Sequence, residues 1–284
     1  MSNYRKIKST HTAPEAALGH HVIRQAFPLR GLEQISPFIL LHHFNFEIEP
    51  GDDSFYVPPH PHRGFCPITY MFDGAIEHND SLGNSAVIGN NEVQWINAGR
   101  GIIHSEKIAK SFAQKGGKYQ GIQLWINLPA AEKMNTPSYQ PITQKEIVLI
   151  EKQGVAFRLV SGSFEDKKGP AKSDVLTAMI TMDANSSFNL PSLPAQNNVA
   201  IYVLEGKVRI NEKLLETAHS LLNFDQTEGA ILLEAINPTK ILLMAGTPIN
   251  EPLVTHGPFV MNTQTELLEA MRDYRQGKMG FLAG

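Results

Sequence analysis

The sequence predicts an all-β fold with two β-barrel (jelly-roll) domains and one C-terminal α-helix. Three observations support this prediction. The chain has 284 residues, more than one domain usually holds, and its apolar segments are short and strand-like in both halves. Helical periodicity occurs only at the C-terminal end. We place the domain boundary in a polar segment, which gives domains 1–135 and 136–284.

The first half reads as a series of strands separated by Gly, Asn and Pro. The pair Asp73-Gly74 and the run Leu82-Gly83-Asn84 lie between apolar segments, where residues that tolerate positive φ allow hairpins. This regular spacing is typical of a barrel or jelly roll. The segments are HVIRQAF, FILLHHFNF, FCPITYMF, AIEHND, EVQWINA, GIIHSEKI and YQGIQLWINL.

Residues 129–146 contain three prolines and many polar groups, so we interpret them as the connection between the domains. Strand-like segments then resume, which predicts a second copy of the same architecture. The C-terminal end differs, because Thr263 and Glu266 have capping-box spacing before an amphipathic helix. Its predicted apolar face is Leu267, Leu268, Met271 and Tyr274, and we expect this face to pack on a barrel or to bridge the two domains.

Composition argues against several classes of function. The formal net charge of -3 does not favour direct nucleic-acid binding, which requires a basic face. The apolar stretches are too short to span a bilayer, and the N-terminal residues lack the apolar segment of a secretory signal. The single cysteine, Cys66, cannot form an intrachain disulfide. We therefore expect a cytoplasmic protein without a membrane partner.

Two pairs of residues have the spacing of metal ligands. His60 and His62 are two residues apart, as are His104 and Glu106, so each pair points to one side of an extended strand. One pair alone is a weak signal in a chain with eleven histidines. If the strands are neighbours, three imidazoles and one carboxylate converge on one divalent metal ion, for which iron, zinc, manganese, nickel and copper are all suitable.

These motifs resemble the pirin family, whose members are two-domain proteins (bicupins) of the cupin superfamily. The resemblance runs from about residue 20 to the C-terminus. It implies the metal ligands His60, His62, His104 and Glu106, with Fe(II) as the usual metal. The segments are HPHRGF at 60–65, IEHNDSLGN at 76–84, VQWINAGRGIIHSE at 93–106, QLWINLP at 123–129 and GTPINEPLVTHGPFVMNTQTEL at 246–267.

The sequence departs from the family where pirins commonly have Glu after HPHRGF, because Cys66 stands there. We favour a small buried residue for Cys66 over a soft metal ligand or a redox-sensitive thiol. His42 or His43 could approach the site, whereas we assign His78 to a surface turn. The second half has too few histidines for another three-histidine centre, so we expect its barrel to be metal-free.

Two functions fit the resemblance. The first is a dioxygenase that acts on a flavonol such as quercetin and uses O₂, with Glu106 as ligand and catalytic base. The second is a redox-sensitive metal-binding regulatory protein that acts by contact with a protein partner.

Overall fold

The structure of the protein is a computed structural model that describes residues 4–18 and 21–282. The predicted all-β class with a C-terminal helix is confirmed. The strands of the first half are β1 (Ile7–Thr12), β2 (Glu15–Leu18), β3 (His21–Phe27), β4 (Phe38–Ile48), β5 (Tyr56–His62), β6 (Phe65–Asp73), β7 (Ile76–Asp80), β8 (Ser85–Ile88), β9 (Glu92–Asn97), β10 (Ile102–Ile108), β11 (Gly117–Asn127) and β12 (Ser138–Ile142).

The described residues of the second half form fourteen further strands and the longer helix. The strands are β13 (Val148–Lys152), β14 (Val155–Ser161), β15 (Ser163–Phe164), β16 (Lys167–Lys168), β17 (Leu176–Met182), β18 (Ser187–Leu190), β19 (Asn198–Glu205), β20 (Lys207–Ile210), β21 (Leu214–Thr217), β22 (Ser220–Phe224), β23 (Ile231–Ala235), β24 (Thr239–Gly246), β25 (Val254–His256) and β26 (Phe259–Met261). The helices are α1 (Lys110–Ala113), α2 (Gln264–Arg275) and a 3₁₀ turn at Ala130–Glu132.

The described residues form two compact units that are not contiguous in the chain. The first unit comprises the described residues up to Pro37 together with Lys145–Pro248. The second unit comprises Phe38–Gln144 and the described residues from Ile249 onward. Each unit therefore draws on both of the ranges, 1–135 and 136–284, that the sequence analysis separated.

The first unit has a large sheet in the order β1-β22-β19-β24-β17-β14-β13 and a smaller sheet in the order β18-β23-β20-β21. Its core is a continuous apolar cluster with side chains from both sheets, among them Phe157, Ile201 and Leu243. Alternation along the strands produces this core, since every second side chain points inward. The N-terminal strand β1 pairs antiparallel with β22 and so belongs to this unit.

The second unit also has two larger sheets, besides the hairpin of β25 and β26. One runs in the order β5-β10-β7-β8, and five strands of the other run in the order β12-β9-β6-β11-β4. Strand β7 shows the underlying pattern, because Ile76, His78 and Asp80 are buried and the residues between them are not. One face of β7 therefore points into the barrel, although two of its three buried residues are polar.

The C-terminal helix α2 belongs to the second unit and begins with the predicted capping box. Thr263 Oγ1 accepts a hydrogen bond from the Glu266 backbone N–H, and the Glu266 carboxylate accepts one from the Thr263 N–H. The predicted apolar face is partly wrong. Leu268 is exposed, whereas Leu267 and Ala270 are the residues of α2 that are buried.

The interpretation of residues 129–146 as a plain connection is also wrong in part. Ser138–Ile142 forms strand β12, which pairs antiparallel with β9 at the edge of its sheet. Pro141 lies opposite Gln94 in this pair. Proline is tolerated in an edge strand, where a missing N–H need not break a ladder on both sides.

Candidate metal centre

The predicted ligands lie on neighbouring strands of the four-stranded sheet in the second unit. His104 on β10 is directly opposite His60 on β5 and Asp80 on β7. Glu106 is directly opposite His78. Side chains of directly paired residues share one face of a sheet, so these residues form a polar patch on the inner face.

The three predicted histidines come together. The ring centroids of His60 and His104 are 4.3 Å apart, those of His60 and His62 4.8 Å, and those of His62 and His104 5.0 Å. One ring nitrogen from each lies within 4.8 Å of the other two, as metal ligation requires. The three rings are therefore arranged so that one small cation could contact all of them.

Glu106 joins this cluster through His104. Its carboxylate Oε1 lies 3.8 Å from His104 Nδ1. A second group of potential ligand atoms within 4.8 Å of one another consists of His78, His104 and Glu106. The four predicted ligands thus meet at His104, and the assignment of Glu106 to the same metal ion as His60 and His62 stays a prediction.

The expectation that His78 lies in a surface turn is wrong. His78 is fully buried in β7, where its ring stacks on Tyr139 at 4.1 Å with an interplanar angle of 2°. His78 Nε2 lies 3.1 Å from the Asp80 carboxylate. Strand alternation in IEHND is the signal that could have placed His78 and Asp80 inward, next to the residues on β10.

Asp80 is held as a carboxylate by its neighbours. Burial raises its pKa, but hydrogen bonds from His78 and from the side chain and backbone of Asn84 outweigh burial, and the pKa is lowered overall. The backbone N–H of Leu82 also donates to Asp80, at 2.9 Å. Asp80 can therefore fix the His78 ring by accepting the Nε2–H, which leaves Nδ1 of His78 directed elsewhere.

The rings of His62 and His104 are buried, neutral groups. Burial lowers the pKa of each well below its usual value, and the positive charges of neighbouring histidines add to the effect. For His62 the backbone of Pro258 acts in the opposite direction. Neutral imidazole is the form that binds a metal ion, so burial prepares both rings for ligation.

His60 differs because it is only half-buried. Its Nδ1 lies 2.9 Å from the carbonyl oxygen of Pro58. A carbonyl accepts, so Nδ1 carries the hydrogen, and Nε2 keeps its lone pair for a metal ion. This outer hydrogen bond is the kind that orients a ligating histidine.

The sequence analysis missed Gln94 on β9. Its side chain is buried, and Gln94 Nε2 donates a hydrogen bond to Glu106 Oε1. Gln94 therefore orients the Glu106 carboxylate, although the two residues lie in different sheets of the second unit. The run EVQWIN gives no signal for Gln94, because its four central residues are all buried and its apolar alternation selects Val93 and Trp95 instead.

Cys66 lies in surroundings that keep its thiol protonated. Cys66 is buried in β6, and burial, followed by the Glu132 charge, raises the pKa of its thiol to about 12. A thiol with this pKa is a poor nucleophile at neutral pH.

The two histidines that could approach the site, His42 and His43, are adjacent residues on β4. His42 pairs with Gln123 and His43 with Ile122, so the two rings point to opposite faces of the sheet.

The donor set fits a divalent metal ion. Both ring nitrogens of His104 are buried without a hydrogen-bond partner among the residues that the structure describes, and those of His62 have only the Pro258 backbone nearby, in a contact that does not meet hydrogen-bond geometry. Leaving such groups unpaired costs about 1–3 kcal/mol each. Three neutral nitrogens and one carboxylate oxygen suit iron, manganese, nickel, copper or zinc. The residues present could therefore hold the metal ion that the motifs predict.

Comparison with known proteins assigns the sequence to one group. Residues 19–126 match the family described as Pirin, and residues 177–280 match the Pirin C-terminal cupin domain. A pirin-like protein of Solanum lycopersicum is 36% identical over 265 residues, which cover 92% of this chain and 87% of that protein. A pirin-like protein of Caulobacter vibrioides is 35% identical, with coverage of 87% and 88%.

A solved structure resembles nearly the whole chain. It is the crystal structure of quercetin 2,3-dioxygenase from Acinetobacter baumannii, with 31% identity and a TM-score of 0.91. The similarity covers 99% of this chain and 100% of that one. Among the described residues, no helix is long and apolar enough to cross a membrane.

Proposed function

The chain belongs to the pirin family of bicupins, and from this premise we propose that it is a metal-dependent dioxygenase acting on a flavonol such as quercetin. The second substrate is O₂, and the proposed metal is Fe(II), held by His60, His62, His104 and Glu106. We also propose that the protein works in the cytoplasm. The resemblance to the Acinetobacter baumannii enzyme supports this reaction class.

The observation that carries the proposal is the buried, neutral histidine cluster beside Glu106. A bound divalent iron would supply Lewis acidity and redox capacity toward a phenolic hydroxyl and O₂. Around it, His62 and His104 are already neutral, so no proton has to leave them before ligation. The half-buried His60 gives the cluster one member that solvent reaches.

Glu106 is proposed both as ligand and as the base that takes the proton of the substrate hydroxyl. Gln94 holds its carboxylate by donating to Oε1. Positioning a base in this way reduces the reorganisation that proton transfer requires. Since Cys66 is buried with a raised pKa, the thiol that replaces the family's Glu does not take part in proton transfer.

The test is turnover by the reconstituted protein. Protein loaded anaerobically with Fe(II) is mixed with quercetin and air, and O₂ uptake is followed together with loss of the flavonol absorbance. We expect both signals to change in step, and to vanish in His62→Ala. Fully loaded protein without turnover would reject the dioxygenase for this substrate and leave the redox-sensitive regulatory protein, with a protein partner, as the alternative.

A further inference from the structure

A row of polar side chains crosses the sheet of the second unit that does not carry the ligands. Gln94 on β9 is paired with Thr69 on β6, Thr69 with Gln123 on β11, and Gln123 with His42 on β4. Directly paired residues share one face of a sheet. We call these four residues, Gln94, Thr69, Gln123 and His42, the polar row.

Two contacts fix the polar row on the inner face of the barrel, beside the metal centre. At one end, Gln94 Nε2 donates to the Glu106 carboxylate. On β11, Trp125 lies two residues after Gln123 and so shares its face. The Trp125 ring is 5.5 Å from the His62 ring, and its Nε1–H donates to Gln123 Oε1 at 3.1 Å. The row is thus linked to Glu106 through Gln94 and to His62 through Trp125, and both of these are predicted metal ligands.

Burial changes along the row. Gln94 and Thr69 are 1% and 2% exposed, whereas Gln123, His42 and the neighbouring Trp125 are half-buried. The row therefore leads from the interior at Glu106 toward solvent. A molecule that entered along it would meet Trp125, Gln123 and His42 before it reached the metal centre.

The chemistry of the row is neutral. Gln94 and Gln123 are amides, and Thr69 is a hydroxyl. Burial lowers the pKa of His42 to about 4, so its ring is uncharged at neutral pH. None of these four positions, nor Trp125, carries a cationic side chain, so away from the metal ion the row offers no partner for a carboxylate or phosphate group. Amide, hydroxyl and neutral imidazole groups pair instead with uncharged hydroxyls.

We propose that the polar row and Trp125 form the substrate-recognition wall, which selects a planar, uncharged, polyhydroxylated aromatic molecule. The Trp125 indole contacts the face or edge of the substrate ring, since aromatic pairs favour stacked or edge-on contact. Gln123 and His42 form hydrogen bonds with its hydroxyls and act as specificity-determining residues. This inference rests on the proposed function, because it names the residues that bind the substrate of that same site.

Binding can be measured without turnover in protein loaded with Zn(II), which has no redox chemistry. The chain has two tryptophans, so Trp95→Phe leaves Trp125 as the one indole. We expect quercetin to quench Trp125 emission, and Gln123→Leu to raise its Kd about tenfold at unchanged zinc content. His42→Phe should act in the same direction. Gln226→Leu, the same change at an exposed position of the first unit, is the matched control.

In the Fe(II) protein, Gln123→Leu should raise KM for quercetin more than it lowers kcat, which a loss of folding or metal would not produce. Quenching that is absent, or equal in Gln123→Leu, His42→Phe and the control, overturns the recognition wall. Intact quenching without turnover rejects the dioxygenase alone. Turnover without any effect of these two variants rejects the wall alone.

Discussion

The ring nitrogens of His62 and His104 carry the case for a metal site in the second unit. Both rings are buried, and burial lowers the pKa of each well below the usual value for histidine. In a purely structural cluster, such nitrogens would face hydrogen-bond donors or water. A cluster of neutral, buried imidazoles, each with one free lone pair, beside a carboxylate instead favours a cation.

Replacing one of these rings should remove the metal and keep the fold. We expect His62→Ala to lose most bound metal, because the variant deletes one of the ring nitrogens proposed as ligands. The far-UV circular dichroism should stay close to that of the wild type, since the first unit has its own core. Metal content by elemental analysis checks this. His256→Ala, at an exposed histidine, is the control and should retain metal.

His42 gives a pH dependence whose sign follows from burial. Its pKa is lowered to about 4, whereas the unfolded chain binds the proton near its ordinary value of about 6.5. Below about pH 6.5 the unfolded state holds more protons than the folded state. The free energy of unfolding therefore decreases as the pH is lowered from about 6.5 to about 4. The slope from one such group is at most about 1.4 kcal/mol per pH unit.

Urea unfolding of metal-free protein between pH 7 and about pH 4.5 measures this slope. We expect His42→Gln to show a shallower dependence than the wild type, and no difference in slope above about pH 7. Equal slopes throughout would mean that His42 is not held neutral by the fold.

At the scale of single elements, helix α2 supports the loop that follows the predicted ligand His62. Arg63 is buried, and its Nη1 donates to Asp273 on α2 at 3.1 Å, while its Nε donates to the Arg100 carbonyl. Gly64 has φ +88°, and an added Cβ would lie 2.0 Å from the Val260 carbonyl oxygen. The loop between β5 and β6 is therefore held from the C-terminal segment of the same unit.

Asp273→Asn should destabilise the protein by about 2 kcal/mol, because the buried Arg63 guanidinium loses a charged partner. Hydrogen bonds from Lys278 and Arg63 lower the pKa of Asp273 to about 2. Its stabilising effect is therefore present above about pH 4 and lost as the pH falls through about 2. Urea unfolding at pH 7 measures the change.

The matched control for this variant is Glu165→Gln, which breaks the exposed pair with Lys152. An exposed pair contributes at most about 1 kcal/mol. If the two variants cost the same, the contact between Arg63 and α2 is not a support of the loop.

Strand alternation accounts for what could be predicted of the elements. A period of two placed His60 with His62 and His104 with Glu106, and a capping box placed the start of α2. The same rule applied to IEHND would have placed His78 inward, but the Gly-flanked hairpin favoured a turn. Strand β12 escaped prediction because its proline and polar residues lack a clear period, and it gains its stability by pairing with β9.

At the scale of the whole molecule, each end of the chain belongs to the unit that is formed mainly by the other half of the sequence. The N-terminal strand β1 belongs to the first unit, and helix α2 belongs to the second, with β25 and β26. No local pattern in the sequence encodes this arrangement, because it depends on pairing between residues far apart in the chain. The sequence predicts that the apolar face of α2 packs on a barrel, but it does not indicate which of the two barrels.

Metal binding should stabilise one unit. A ligand that binds only the folded state at about 100 times its Kd adds about 2.7 kcal/mol to the free energy of unfolding. We expect hydrogen exchange on β5 and β10 to slow by up to about 100-fold on loading with Zn(II), and exchange on β19 and β24 to stay unchanged. Mass spectrometry of loaded and chelated protein measures both. Slowing on β19 and β24 without slowing on β5 and β10 would indicate that the metal binds outside the histidine cluster.

We propose above that His60, His62, His104 and Glu106 hold one divalent metal ion. Anomalous diffraction at the metal absorption edge, from crystals of the loaded protein, locates that ion. We expect a single peak about 2.1 Å from one ring nitrogen of each histidine, with a Glu106 oxygen at a similar distance. A peak elsewhere in the chain, or none within bonding distance of His62 and His104 in fully loaded protein, would contradict it.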